Sequence, residues 1–288
     1  MNKSKITAYT ALATIMSASA AHADLSLSGA FIGNVSTGDN TSGVSHALST
    51  SSVYVTYGST LDNGMGLSAG FSITSTGMGF SAAIDTGMGS VSFGQSHNSA
   101  VDGMDGMKAG ATAISGTETL IAYDDGDTNE GMGIKYTSPS MNGWTLAYSM
   151  GVNGGGTDAA NSDRNSSIAV SGSVAGVAIS AGAVDDNDGS DDNFYTFGYS
   201  VAGVSMGYGM YDNDNGEEST IIGLNTSMAG LSLGYTYEDA DKATDQDSSR
   251  YSVGKDLGGM AVTLQFTDTD DGTAVDNQSW DLVYSIGF

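Results

Sequence analysis

The chain of 288 residues has no cysteine, one proline and only eight lysines and arginines. Without cysteine, the fold uses no disulfide bond. The eight basic residues stand against 33 acidic ones, so the formal net charge is −25. This balance argues against nucleic acid as a partner and against docking on an anionic membrane surface, because both need clustered cations. No segment after residue 23 approaches the roughly 20 consecutive apolar residues of a transmembrane helix.

The first residues have the features of an export signal. Lys3 and Lys5 precede a mildly apolar run from Ile6 to Ser19, and Ala21-His22-Ala23 ends this run with the small residues that a signal peptidase recognises. The run is short and rich in Ala, Ser and Thr, which disfavours an anchor helix. We therefore predict that residues 1–23 are a signal peptide and that the mature chain is 24–288.

Most of the remaining chain repeats one pattern, in which large apolar residues occupy every second position between turns rich in Gly, Asn and Asp. Residues at this spacing share one face of an extended strand. The C-terminal segment is the clearest example, with Trp280, Leu282, Tyr284, Ile286 and Phe288. The pattern predicts 16 strands. We expect their aromatic residues to face outward and to form interfacial girdles near the strand ends: Tyr57, Tyr136, Trp144, Tyr148, Tyr199, Tyr208, Tyr235, Trp280 and Tyr284.

The connections between these strands alternate strictly between two kinds. Short reversals fall near 61–64, 86–89, 139–143, 175–176, 202–203, 229–230 and 258–259. The other set is mostly longer and acidic, although Ser75 to Gly77 is a short member. Short turns at one rim, long polar loops at the other and an even strand number are typical of bacterial outer-membrane barrels. The sequence therefore predicts an all-β fold, a 16-stranded antiparallel transmembrane β-barrel, because closure satisfies every backbone group in lipid.

The alternation breaks over residues 96–130. A stretch of this length without regular structure is uncommon in a compact domain unless it is functional, so we predict a functional loop. The loop carries seven acidic residues that are candidates for lining a pore: Asp102, Asp105, Glu118, Asp124, Asp125, Asp127 and Glu130.

Other protein classes fit the sequence less well. A soluble β-sandwich would also alternate, but we would expect fewer strands and more chain asymmetry. An outer-membrane hydrolase needs a nucleophile and a base, and after residue 23 the only histidines are His46 and His97. Ser96-His97-Asn98 are adjacent and do not form a triad, so we predict no enzymatic activity. The glycine repeat of a calcium-binding solenoid is absent. A non-channel adhesin or structural barrel stays as the alternative.

The order and spacing of these features resemble the trimeric general porins of Gram-negative outer membranes, most nearly the alphaproteobacterial type, over the whole mature chain. The local anchors are Gly87-Met88-Gly89-Ser90-Val91-Ser92-Phe93-Gly94, Ile134-Lys135-Tyr136-Thr137-Ser138-Pro139-Ser140 and the terminal Phe288. The resemblance implies that residues 96–130 are the third external loop, folded into the lumen to constrict the pore. It also implies a homotrimer among lipopolysaccharide, with Trp280, Tyr284 and Phe288 as the C-terminal assembly signal.

Two features depart from this family pattern. Gln95 stands where many relatives have Arg, and residues 24–107 contain no Lys or Arg, whereas relatives line the wall that faces the loop with basic residues. The usual transverse field between an acidic loop and a basic wall is therefore not expected. Lys135 and Arg250 fall at inward positions and are the candidate counter-charges in the lumen.

The inward positions are mostly small and polar, which leaves room for water: Ser68, Ser72, Asn225, Thr263, Gln265 and Asp281. A barrel of this size is wide enough for an aqueous channel, so the long loop would set its limiting radius. Acids near the narrowest point raise the local concentration of cations. We predict passive diffusion of small hydrophilic solutes and ions, with a preference for cations.

The acidic loops also raise the question of metal ions. Asp212-Asn213-Asp214-Asn215-Gly216 lacks the spacing and the terminal Glu of a calcium-binding loop. We predict no cofactor and no specific metal site from the sequence, and only diffuse binding of Ca²⁺ or Mg²⁺ to the loops.

Overall fold

A computed structural model describes most of the chain after the predicted signal peptide. The described residues are 24–39, 43–74, 78–94, 99–101, 132–152, 166–185, 191–213, 216–241, 246–270, 272 and 277–287. Their regular structure consists of β-strands. A helix long and apolar enough to span a membrane was not found among them.

Sixteen strands form one closed antiparallel barrel. Each strand pairs with its neighbours in sequence, and the first strand pairs with the last. This confirms the predicted fold class. The strands are β1 (Asp24–Gly38), β2 (Ser45–Thr60), β3 (Gly66–Thr74), β4 (Met78–Asp85), β5 (Ser90–Gly94), β6 (Met132–Thr137), β7 (Thr145–Val152), β8 (Ser166–Val174), β9 (Val177–Asp185), β10 (Asp191–Val201), β11 (Val204–Asn213), β12 (Glu218–Met228), β13 (Leu231–Asp241), β14 (Gln246–Asp256), β15 (Met260–Asp270) and β16 (Asn277–Gly287).

Three of the short reversals at one rim are tight two-residue turns built on Ala-Gly pairs, at 175–176, 202–203 and 229–230. Ala202 and Gly203 have φ angles of 51° and 81°, and Ala175 with Gly176 is nearly identical. Positive φ at both central residues defines a type I′ turn, whose twist matches that of the strands it joins. These turns fix the register of each hairpin and with it the face that each side chain occupies.

The two faces of the sheet have opposite character. On β16 the side chains of Trp280, Leu282 and Ile286 are 48%, 41% and 43% exposed, whereas the intervening Val283 is only 7% exposed. Aromatic rings extend this outer surface, as in Phe266 and Trp280, whose centroids lie 4.8 Å apart. Large apolar groups on the outside and small or polar groups inside are the pattern of a barrel that faces lipid.

The first hairpin is longer than the alternation predicts. The sequence places the end of the first strand near Asn34 and the start of the second near Ser51, but β1 reaches Gly38 and β2 begins at Ser45. The pairing register shifts at Ile32 and Gly33, whose partners are Thr50 and Leu48. Ser49 is therefore the extra residue of a bulge, and it interrupts the two-residue period that the prediction depended on.

Tyr57 also differs from the expectation of an exposed girdle residue. Its register partner Leu25 is 58% exposed on the outer face, yet Tyr57 is only 4% exposed. It clusters with Ala69 and Ala82 on the two following strands. Two adjacent alanines leave a shallow depression in the sheet, and a large ring on the neighbouring strand can fill it. The ring of Tyr57 therefore does not project from the outer surface.

Candidate functional site: the lumen and its internal loop

The beginning of the long loop lies inside the barrel. The backbone N–H of Ala100 donates to the hydroxyls of Ser149 and Ser167, at 3.0 and 2.9 Å. These two hydroxyls are 2.6 Å from each other and belong to the inner faces of β7 and β8. Since β5 ends at Gly94, the chain has passed β6 to reach them. We call this three-centre contact the loop latch.

The next residue of the loop is packed among inward-facing apolar side chains. Val101 is 1% exposed. Its cluster is drawn from β8 to β11 and β13 and consists of Ala169, Val184, Phe194, Tyr211 and Ala240. The rings of Phe194 and Tyr211 lie 5.2 Å apart, centroid to centroid. The apolar contact and the loop latch together hold residues 99–101 against the inner wall.

Gly94 defines how the chain leaves the barrel wall. Its φ angle is +151°, in the region that L side chains rarely adopt. A Cβ at this position would collide with the carbonyl oxygen of Phe80 and lie 2.7 Å from the Cα of Ser81. Because backbone atoms cannot move aside cheaply, only glycine fits here. Gly94 therefore ends β5 in a backbone conformation that only glycine can adopt here, directly before the loop.

Lys135 projects from β6 toward the loop. It lies at the inward register position, directly opposite Ser92 and Ser149. Its ammonium group donates to the backbone carbonyl of Ser99 at 3.5 Å. The side chain is half-buried. One of the two lumen cations singled out from the sequence is therefore tied to the loop backbone.

Arg250 lies on the inner face of β14, directly opposite Thr236 and Thr267. It interacts electrostatically with Glu238, which sits diagonally across the ladder on β13. Glu238 is 3% exposed and accepts a hydrogen bond from the Ser219 hydroxyl at 3.2 Å. A buried carboxylate next to Arg250 offsets its charge at this part of the wall.

The inner wall of β1 to β4 carries neither Lys nor Arg and is rich in hydroxyl groups. Ser26 and Thr56 are joined through their side-chain oxygens at 2.5 Å. Tyr54 lies opposite Ser28 and Ser72 on this inner face and is 42% exposed. Tyr54 was not among the lumen residues predicted from the sequence. Its position between Val53 and Val55, which face outward, could have identified it as an inward-facing residue.

The other residues predicted for the site fall into two groups. Trp280 lies on the outer face of β16, and so does Tyr284, whose hydroxyl is 2.9 Å from Nε2 of His46 on β2. Eight further residues lie outside the described part of the chain: Asp102, Asp105, Glu118, Asp124, Asp125, Asp127, Glu130 and Phe288. Within the described ranges, the geometry contains no group of three or more His, Cys, Asp or Glu residues suited to a metal ion.

A closed barrel with a lipid-facing exterior and a loop that enters its interior defines a transmembrane channel. Comparison with known proteins agrees with this class. A family model described as Gram-negative porin matches residues 8–288. The chain therefore belongs to the Gram-negative porin family, and it is a barrel of the outer membrane that passes small solutes.

Solved structures support the same fold. A mutant of the Rhodopseudomonas blastica porin superposes with a TM-score of 0.71 at 16% identity, covering 92% of this chain and 100% of that one. A loop-deletion mutant of OmpT, an outer membrane protein of Vibrio cholerae, gives a TM-score of 0.70 at 14% identity, covering 92% and 99%. A search of curated proteins found no match.

Proposed function

We propose that this porin forms a water-filled channel for passive diffusion of small hydrophilic solutes, and that the channel prefers cations. The observation that carries the proposal is the loop latch, because the acidic segment follows directly on residues 99–101, which lie inside the lumen. This segment supplies seven acids but only one basic residue, Lys108. Fixed carboxylates in a narrow passage concentrate cations and repel anions.

The charges of the wall support the same preference. Lys135 is bonded to the loop backbone, Arg250 is offset by Glu238, and residues 24–107 contain no Lys or Arg. The wall therefore presents little positive charge to balance the acids of the loop. We therefore expect a negative electrostatic potential throughout the lumen, and not a field directed between an acidic side and a basic side.

The zero-current potential of the purified protein in a planar bilayer, between high and low KCl, tests this preference. The expected sign favours K⁺. Changing five loop acids to Asn should reduce the potential (Asp102, Asp105, Asp124, Asp125 and Asp127). A matched control changes five acids that the register places on the outer face (Asp212, Asp239, Asp247, Asp268 and Asp270) and should leave the potential nearly unchanged. Channels without ion preference would contradict the role of the loop.

We also propose that the protein assembles as a homotrimer, as its resemblance to trimeric porins implies. The outer surface around Tyr57, Ala69 and Ala82 supports close approach of another subunit, because the recessed ring and the small alanines pack against the partly buried Leu67, Phe80 and Phe93 and form an apolar contact area. Electrophoresis of unboiled detergent extracts should show a heat-sensitive band at three times the monomer mass. A monomer band alone, with the barrel intact, would contradict the trimer.

Diffuse binding of Ca²⁺ or Mg²⁺ among lipopolysaccharide is the proposed role of the external acids. Asp212 stands directly opposite Glu218, which in turn stands opposite Asp241, and Asp247 stands opposite Asp239 and Asp270. Like charges opposite each other destabilise a ladder, and divalent cations would relieve this repulsion. Removing divalent cations with EDTA should therefore lower the temperature at which the barrel unfolds in electrophoretic assays.

A further inference from the structure

One polar patch on the inner wall has more oxygen acceptors than the protein satisfies. It lies where β15, β16 and β1 meet. Asp281 on β16 directly faces Gln265 on β15 and Ser36 on β1. Directly opposed side chains in an antiparallel ladder have Cβ atoms about 5 Å apart. Asp281 lies between Trp280 and Leu282, which face outward, so the three opposed residues project into the lumen.

Two amide groups in this patch use their donors but not their acceptors. The Nε2 of Gln265 donates to the Thr267 hydroxyl at 3.1 Å, and the Nδ2 of Asn34 donates to the Ser36 hydroxyl at 2.8 Å. Oε1 of Gln265 and Oδ1 of Asn34 are both buried without a hydrogen-bond partner. Gln265 is only 3% exposed. An unsatisfied buried acceptor costs about 1–3 kcal/mol, so two of them on the strands that flank β16 need a physical reason.

The carboxylate between them is also without a partner. Across the part of the chain that the structure describes, no hydrogen bond or ion pair engages Asp281. The side chain is half-buried. Arg250 does not supply the missing charge, because it lies on β14, two strands away from Asp281, and interacts with Glu238 on β13. The patch thus combines one negative charge with two neutral carbonyl oxygens, and none of the three receives a donor from the described residues.

We propose that Asp281, Gln265 and Asn34 form a binding site for a hard cation such as Ca²⁺ on the wall of the lumen. Asp281 supplies the charge, and the two amide carbonyls supply neutral oxygen ligands. Ca²⁺ accepts about six to eight oxygens in flexible geometry, including carboxylates, amide carbonyls and water, whereas Mg²⁺ demands stricter octahedral geometry. The inference rests on the proposed channel function, because an ion reaches this patch through the lumen.

Titration of Ca²⁺ against the single-channel K⁺ current tests the site. The wild-type protein should show a saturable decrease in current, since a bound divalent cation repels K⁺ in the same passage. Asp281→Asn should raise the half-blocking Ca²⁺ concentration about tenfold or more, and Gln265→Glu should lower it, because affinity follows ligand charge. Asp268→Asn removes the same charge from the outer face of β15 and should leave the half-blocking concentration unchanged.

Failure of the site and failure of the channel give different results. Normal channels with no saturable block, or with a block that Asp281→Asn leaves unchanged, would overturn the cation site while keeping the channel. An absence of channels would overturn the proposed function. The site is then tested by equilibrium dialysis of Ca²⁺ in detergent micelles, where the wild type should bind one more ion than Asp281→Asn. Equal Ca²⁺ binding by the wild type and by Asp281→Asn in this dialysis would also overturn the cation site.

Discussion

At the scale of single residues, the φ angles of a turn decide which amino acids fit it without strain. Ala175, Ala202 and Ala229 adopt left-handed φ angles of 52°, 51° and 54°. This region costs an L residue with a Cβ about 1 kcal/mol relative to residues that tolerate it, and Asn is the usual non-glycine choice in type I′ turns. The Ala-Gly turns are therefore correct in type but not optimal in stability.

Ala202→Asn should raise the free energy of unfolding by about 0.5–1 kcal/mol, because Asn populates the left-handed region more readily than Ala. Urea-induced unfolding in lipid vesicles, followed by tryptophan fluorescence, measures this change. Gly203→Ala at the next position, where φ is 81°, is the control and should lower stability by a similar amount. An Asn variant no more stable than the wild type would contradict the strain assigned to Ala202.

At the scale of elements, the loop latch joins parts of the chain that are distant in sequence. Ala100 is separated from Ser149 by 49 positions and from Ser167 by 67. The two hydroxyls share one donor, so loss of either leaves an acceptor in place. Loss of both would leave the partly buried N–H of Ala100 without a protein partner, which costs about 1 kcal/mol or more.

We therefore expect the double change Ser149→Ala with Ser167→Ala to loosen the loop, and each single change to have a smaller effect. The measurement is the open-channel current noise in planar bilayers, together with the frequency of transient closures. Both should increase most in the double variant. The two single variants are the controls, because each keeps one hydroxyl acceptor for Ala100. Equal noise in the double variant and the wild type would show that the latch does not hold the loop.

The strands were predictable from the sequence because the lipid environment forces a strict pattern. Outward side chains such as Leu282 and Ile286 must be apolar, and closure requires that every strand continue the alternation. The inward positions of Lys135 and Arg250 were predicted from the same alternation of outward and inward residues. The start of β2 could not be predicted, since the bulge at Ser49 shifts the parity and hides the first residues of the strand.

The internal contacts of the site were less accessible to sequence reasoning. The latch depends on two serines among many in the chain, and a serine on the inner face of a strand has no local signal that distinguishes a partner from a solvated hydroxyl. The cluster around Val101 likewise packs a loop residue against five strands, β8 to β11 and β13, that come much later in the sequence. Long-range pairing of this kind is determined by topology and not by local pattern.

At the scale of the whole molecule, charge is distributed very unevenly. Acids dominate the external rim and the long loop, and the inner wall of β1 to β4 carries neither Lys nor Arg. The lumen cations of the described wall are paired or tied to the backbone. The acids of the long loop therefore outweigh the cations inside the passage, which favours the entry of cations.

If the loop that enters the lumen limits a water-filled passage, its removal must widen that passage. The test is the single-channel conductance of a variant in which a short Gly-Ser linker replaces residues 102–130, with a heat-sensitive electrophoretic band as the check that the barrel is intact. We expect a larger conductance and faster entry of larger neutral sugars into liposomes. An intact barrel whose conductance and sugar entry equal those of the wild type would contradict it.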